Sequence, residues 1–405
     1  MIDAKKENKI IFICWLAYAV AYVGRLNFTA SIVAIISDLG IEKPEAGLVG
    51  SFFFFAYGVG QLVNGVLSKR YNSRIMVFFA LVTSAVLNIL MPFSGNISVM
   101  KYLWLANGAV QSILWCTLIK TISEYVSTAK MPTAIMVMST PNTFGTFAVY
   151  GLSALFVKFF NWKYTFFTAA ALLLMTAFIW FILYGNDKPA IVFDKSDEIK
   201  ESGKAGKMAF IAVMATIAAA GIANGFIKDG INTWVPSLLY EEFKLSQSFS
   251  ILLTLLLPLV ATLSAGVIKK IHDKIESHIV MNLILFAVSA VMCAGIIVIL
   301  RIHSIVVIMV LFMAVSAIMA MINNVITSMF PLDRRALISS GFAAGLLNTF
   351  CYVGSTISTY SLGVAAQKGG WNLVFIIMAG VSAAGLVFSL AGSLFDRRGK
   401  EKTAA

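Results

Sequence analysis

Residues Ile10 to Phe28 read IIFICWLAYAVAYVGRLNF. Arg25 is the one formal charge in this stretch, and the apolar run continues to Ile36. About 20 helical residues cross the roughly 30 Å hydrocarbon layer of a bilayer. The run therefore predicts a transmembrane helix with a cation set deep inside it. It is too long for the core of a secretion signal and ends in no convincing small-residue cleavage site, so it is expected to stay in the mature protein. The whole chain of 405 residues has the same texture: 59% hydrophobic, 12% charged, mean hydropathy +0.88. Soluble domains are about 45–50% apolar and about 25% charged. Surface falls too slowly with size for a soluble fold to hide the excess. A soluble enzyme, a disordered chain and a repeat solenoid are excluded.

Charged clusters and Pro/Gly breaks predict twelve spans, near 10–36, 46–68, 74–94, 99–126, 132–158, 164–185, 208–239, 248–268, 278–300, 303–329, 336–365 and 370–395. One long hydrophilic stretch, Gly185 to Lys207, separates six spans from six and reads as a solvated linker. The expected architecture is an all-α membrane protein: twelve transmembrane helices in two pseudo-symmetric six-helix bundles, 1–185 and 208–405, joined by a cytoplasmic linker, 186–207. Of the 31 Lys and Arg residues, 21 gather on the side of the termini and linker, 7 lie on the other side and 3 fall within spans. The positive-inside rule places both termini in the cytoplasm of a cell (inner or plasma) membrane. The net charge of +12 follows from that bias and from attraction to anionic lipid, so the expected partners are the bilayer and a small solute, with no nucleic acid. Cys14, Cys116, Cys293 and Cys351 sit in apolar stretches at unrelated spacings, with neither a disulfide framework nor a metal pattern.

The two halves echo each other at slowly drifting offsets. Arg25 is matched by Lys228, 203 positions on, and Gly65-Val-Leu-Ser-Lys69 by Gly266-Val-Ile-Lys-Lys270, 201 on. Asn142-Thr-Phe is matched by Asn348-Thr-Phe, 206 on, and Trp162 by Trp371, 209 on. Parallel six-helix repeats about an axis along the membrane normal build one large transporter class, with the solute site near the midplane where the halves meet.

The three cations within spans are Arg25, Lys120 and Lys228. A cation near the bilayer centre costs at least about 2.5–3.5 kcal/mol on insertion scales, so it faces a wet cavity or a partner. Arg25 and Lys228, one from each half, suit a phosphate or a carboxylate, and Asp229 is the nearest acid to Lys228. Structural pairing is the alternative, but adjacent helical residues point about 100° apart, so Asp229 is not expected to share its neighbour's face. Lys120 has Glu124 one turn on, a spacing that reads as mutual neutralisation. Tyr18, Tyr22 and Arg25 share one face of span 1. Tyr57 and Gln61, four apart in span 2, suit the same cavity. Asn142 and Asn348 are equally suited to solute contact and to helix–helix bonding. The histidines His272, His278 and His303 lie in or beside loops, no phosphate-cradling loop is present, and no nucleophile stands beside a base. Neither an enzyme nor a cofactor is expected.

These stretches resemble a known family. Twelve helices, a 6 + 6 repeat and a basic Gly-containing loop after span 2 resemble the major facilitator superfamily. Several strings are similar to its organophosphate:phosphate antiporters, the glycerol-phosphate and hexose-phosphate transporter group: Tyr18-x-x-x-Tyr22-x-x-Arg25-x-Asn27-Phe28, Ala56-Tyr57-Gly58, Asn107-Gly108-x-x-Gln111-x-x-x-Trp115, Lys228-x-Gly230-Ile231-x-x-Trp234-x-Pro236 and Phe350-x-Tyr352-x-Gly354. The resemblance implies alternating access, exchange of inorganic phosphate for an organic phosphate ester, anion binding by Arg25 and Lys228, and a site position for Tyr352. Lys228 stands where those antiporters carry arginine, and Leu26, Gln61 and Pro141 replace other basic or histidine positions. The alternative is therefore a proton- or cation-coupled symporter of carboxylates or sugar acids, with Asp229 as the coupling residue.

Overall fold

The computed structural model describes residues 4–67, 72–127, 129–184, 204–275, 277–334, 338 and 340–404. The expected linker lies outside the described residues except for 204–207, and so do Lys69 and Arg70 of the basic loop. Every regular element among the described residues is helical. Among the described residues, ten helices are long and apolar enough to cross a membrane. One of these, within Ser340–Ala404, holds two spans run together across non-helical Gly370 (φ 70°, ψ −178°). The fifth span is broken and escapes that count. Twelve spans result, as the sequence predicts.

Proline explains most of the breaks. A proline ring lacks an N–H and clashes with the carbonyl four residues back. Span 5 is Met131–Met138 followed by Pro141–Phe159, with Pro141 opening the second piece. Span 8 is Gln247–Thr254 followed by Leu256–His272, broken four residues before Pro258. Span 10, Ile305–Asn324, widens into a π-turn at Val325–Met329 ahead of Pro331. Span 7, Lys204–Glu242, carries Pro236 within an unbroken helix. Span 1 runs Ala4–Ala30 and, past Ser31, Ile32–Leu39, which ends on left-handed Gly40.

Two compact units form, 1–195 with 239–255, and 196–238 with 256–405. In the first unit, span 2 (Lys43–Leu67) and span 4 (Ile97–Tyr125) meet closely at Gly108, where a Cβ would strike the backbone of Phe53. Span 1 meets span 5 in the same way: a Cβ on Gly145 would strike the Ala19 carbonyl and the Tyr22 side chain. Span 3 (Ser73–Leu90) and span 6 (Lys163–Leu183) complete the bundle. The stretch 239–255 is held to this unit by an ion pair from Lys43 Nζ to Glu241 Oε1 at 3.0 Å and by Ser248 Oγ donating to the Ala154 carbonyl at 2.7 Å. Ile251 joins the apolar cluster of Val23, Ala30 and Val149.

The second unit repeats the span 1–span 5 crossing between spans 7 and 11. Gly225 packs on the Cys351 backbone, and Gly354 on the Ile222 carbonyl. Gly225 stands 203 positions after Tyr22, and Cys351 stands 206 after Gly145. The duplicated contact is conserved in place, with the small residue moved to the opposite helix. Buried serines Ser289 and Ser382 join span 9 (His278–Ile302) to span 12 at 3.0 Å. At the span ends, Arg334 reaches Asp396 at 2.6 Å and Asp333 at 3.3 Å.

Candidate functional site

In the first unit the sequence-selected residues gather around Arg25, which is only 8% exposed. Its guanidinium carbon lies 3.7 Å from the centroid of the Tyr22 ring and 4.9 Å from that of Tyr57 in span 2. Each aromatic face attracts the cation by about 0.5–2 kcal/mol, which offsets part of its desolvation. Tyr57 stacks on Phe53 at 5.8 Å, and its hydroxyl accepts from Gln61 Nε2 at 3.1 Å. Tyr18 meets Tyr22 edge-on at 5.1 Å and packs against Trp115 of span 4 at 4.8 Å. Tyr18, Tyr22, Arg25, Tyr57 and Gln61 thus form one assembly.

A buried polar network fixes the backbone beneath Arg25. The Gly24 carbonyl accepts from Asn88 Nδ2 and Asn107 Nδ2, both at 3.0 Å. Asn27 Nδ2 donates to Asn88 Oδ1 at 2.5 Å, Ser84 Oγ donates to Asn107 Oδ1 at 2.7 Å, and Gln111 Nε2 donates to Ser84 Oγ at 2.9 Å. All of these side chains are buried. Spans 1, 3 and 4 are bonded together one residue from the cation. The sequence strings around Asn27 and Asn107 are legible as motifs; their role here is to hold helices rather than to face a solute.

In the second unit Lys228 is paired. Its Nζ lies 3.7 Å from Asp229 Oδ1, and Ser355 of span 11 donates its hydroxyl to Asp229 Oδ2 at 2.5 Å. The two residues meet although Asp229 is not expected to share its neighbour's face, so the structural pairing left open as an alternative is present. The Cα–Cβ bonds do diverge, but the four-carbon lysine stem reaches back across the gap. Ser355 was invisible to the sequence reading, because a serine in an apolar helix looks like any other small packing residue.

The remaining candidates are more dispersed. Asn142 is exposed, and its backbone carbonyl accepts from Thr146 Oγ1 at 2.7 Å. Asn348 and Tyr352 are half-buried in the second unit. Lys120 pairs with Glu124 at 3.8 Å, as the spacing predicts.

Twelve apolar helical spans with a buried cation define a multi-pass membrane protein. The sequence profile of the Major Facilitator Superfamily matches residues 14–359. The chain belongs to that superfamily, a family of membrane facilitators and not of enzymes. It is similar to a probable hexose phosphate transport protein of Chlamydia trachomatis, 26% identical over 171 residues, which cover 42% of this chain and 38% of that protein. It is similar to the glycerol-3-phosphate transporter of Bacillus subtilis, 26% identical over 250 residues, 56% of each chain. The membrane sensor protein UhpC of Escherichia coli is 31% identical over 113 residues, 27% of this chain and 26% of that one. The matches thus span from about a quarter to somewhat over half of these relatives' lengths. Among solved structures, a bacterial homologue of the human lysosomal transporter Spinster superposes with a TM-score of 0.72 over 97% of this chain and 95% of that one. At 14% identity that likeness concerns the fold.

Proposed function

We propose that this protein is a secondary transporter of a small organic anion, exchanging an organophosphate ester for inorganic phosphate by alternating access. The observation that carries the reading is Arg25, a guanidinium buried in the first bundle and faced by two tyrosine rings. A planar fork offered in this way suits two oxygens of a phosphate or carboxylate. Relatives named for hexose phosphate and glycerol 3-phosphate support the ester class. Lys228 supplies the second cation; Tyr18, Tyr22, Tyr57, Gln61, Asn142, Asn348 and Tyr352 supply contacts to the rest of the solute. A bound anion offsets charge that would otherwise cross a medium of low dielectric constant, so the loaded carrier reorients more readily than the empty one. That difference is the physical origin of exchange.

The working unit is a monomer of two six-helix bundles, 1–185 and 208–405, in the inner or plasma membrane with both termini cytoplasmic. The asymmetry of 21 against 7 cations supports that topology. Liposomes holding the purified chain and loaded with phosphate should take up labelled glycerol 3-phosphate or glucose 6-phosphate. Uptake that ignores internal phosphate and follows a proton gradient would instead support the second reading, carboxylate symport coupled at Asp229. The pairing of Asp229 with Lys228 favours keeping that second reading. Binding without flux would point to a receptor, the behaviour suggested by the name of the sensor relative.

A further inference from the structure

We infer that the C-terminal end of span 5 and the N-terminal end of span 8 form a site for one anionic phospholipid, with its phosphate at Lys158 and an acyl chain laid along the groove below. Both stretches belong to the first unit. Between them lies a cavity of about 920 Å³. Two bonds fix its walls. Ser248 Oγ donates to the Ala154 carbonyl at 2.7 Å, and Ile251, on the other face of span 8, is buried among Val23, Ala30 and Val149. The groove is thus part of the packed unit.

Its lining is graded by depth. At the mouth stand Lys158, in the last turn of span 5, and Ser246 and Gln247 at the start of span 8. Ser246 Oγ accepts from the Phe249 N–H at 3.3 Å and keeps its own proton for a further bond. Gly151 lies about 10 Å below Lys158, at 1.5 Å per helical residue. A Cβ there would meet nothing within 4 Å, so the floor is open. Leu155 and Leu252 line the lower part, and both are nearly half exposed. Apolar residues facing lipid are ordinary on any span; a cavity with a cation at its mouth and an apolar floor is not. A phospholipid has the same order, charged phosphate at the interface and hydrocarbon beneath. Among the described residues no acid lines the cavity, so its charge complements an anionic head group better than a zwitterionic one, whose cation would find no partner. A free phosphate ester would match Lys158 but leave the apolar floor unfilled. Tyr240, exposed at the cavity, is of the amphipathic type that gathers at membrane interfaces. On the topology proposed above, the lipid belongs to the outer leaflet.

The test uses the purified full chain in detergent and reads lipid retention by native mass spectrometry, with melting temperature alongside. The probes are phosphatidylglycerol, phosphatidylcholine and glycerophosphoglycerol, which is the first head group without its chains. The wild type should hold one phosphatidylglycerol about fivefold more tightly than phosphatidylcholine, the contribution of one interfacial lysine facing anionic lipid, and should melt higher in its presence. Lys158→Gln should abolish that preference; Lys158 is exposed, so the fold is not at risk. Lys101→Gln removes an equal charge near the start of span 4, outside the cavity, and should leave the preference intact. Gly151→Leu should fill the floor and weaken both lipids severalfold without lowering the melting temperature of the lipid-free chain. A wild type without preference, or equal losses in the two lysine variants, would mean diffuse attraction to a basic chain and overturn the site. Glycerophosphoglycerol raising the melting temperature as much as the intact lipid, and only with Lys158 present, would make this a site for soluble anions and overturn the lipid. None of these measurements involves flux, so their failure leaves the proposed exchange standing.

Discussion

Arg25 shows what one residue can require of its surroundings. Its guanidinium lies against the Tyr22 and Tyr57 rings, an arrangement that suits a flat, weakly hydrated cation better than a compact, strongly hydrated ammonium. Arg25→Lys should keep the charge yet weaken anion binding at least tenfold, read by thermal shift against phosphate, glucose 6-phosphate and glucuronate. Tyr57→Phe keeps the ring and removes the hydroxyl that accepts the Gln61 bond. It should alter affinity about twofold and stability by about 0.5–1.5 kcal/mol. Asn88→Ala is a different kind of change. It removes one of the two donors to the Gly24 carbonyl and leaves Asn27 Nδ2 without its acceptor in a buried network, so it should cost about 1–3 kcal/mol of stability, seen as a lower melting temperature in detergent.

At the scale of the helix, small residues decide where spans touch. Gly145 has no room for a Cβ beside Ala19 and Tyr22, whereas Gly151, less than two turns along the same helix, has open space. Gly145→Val should therefore destabilise the first unit by about 1–3 kcal/mol through overpacking; Gly151→Val should be near neutral. Melting curves of the two variants side by side check this. Because Gly145 abuts Tyr22, the first variant should also lower anion affinity. Gly370 sits at φ 70°, ψ −178°, a region open essentially to glycine alone. Gly370→Ala should cost about 1–3 kcal/mol of backbone strain, again read as melting temperature.

For the whole molecule, duplication and charge bias together make a topology that can be probed directly. Single cysteines placed beside Lys5 and beside Arg397 should both be labelled by a membrane-impermeant maleimide only from the cytoplasmic side, and one placed beside Lys244 only from outside. Labelling of Lys5 and Arg397 positions from opposite faces would require an odd number of spans. The stretch 239–255 is a finding at this scale that no local pattern announces. It follows span 7 in the chain, yet the Lys43–Glu241 pair and the Ser248–Ala154 bond hold it in the first unit. Charge reversal at either Lys43 or Glu241 should alter transport rate, and the double reversal should recover it.

By itself the sequence determined the solvent, the number of spans, the duplication and the cations within the spans. Each follows from short-range physics: apolar length against bilayer thickness, and the cost of placing a charge in lipid. It marked Arg25 with its tyrosines, and Lys120 with Glu124, because helical periodicity fixes which residues share a face. Three things were decided only by tertiary structure. Asn27, Asn88 and Asn107 became a network because three helices converge on one carbonyl. The break in span 5 is local to Pro141, but the contact that meets the opened turn, Trp15 Nε1 donating to Thr140 Oγ1 at 2.8 Å, is set by the packing of span 1 on span 5. Asp229 met Lys228 because a lysine stem bends and Ser355, 126 positions away, holds the carboxylate. Contacts between helices depend on crossing geometry, and that geometry is set by packing across the bundle rather than by any local run of residues.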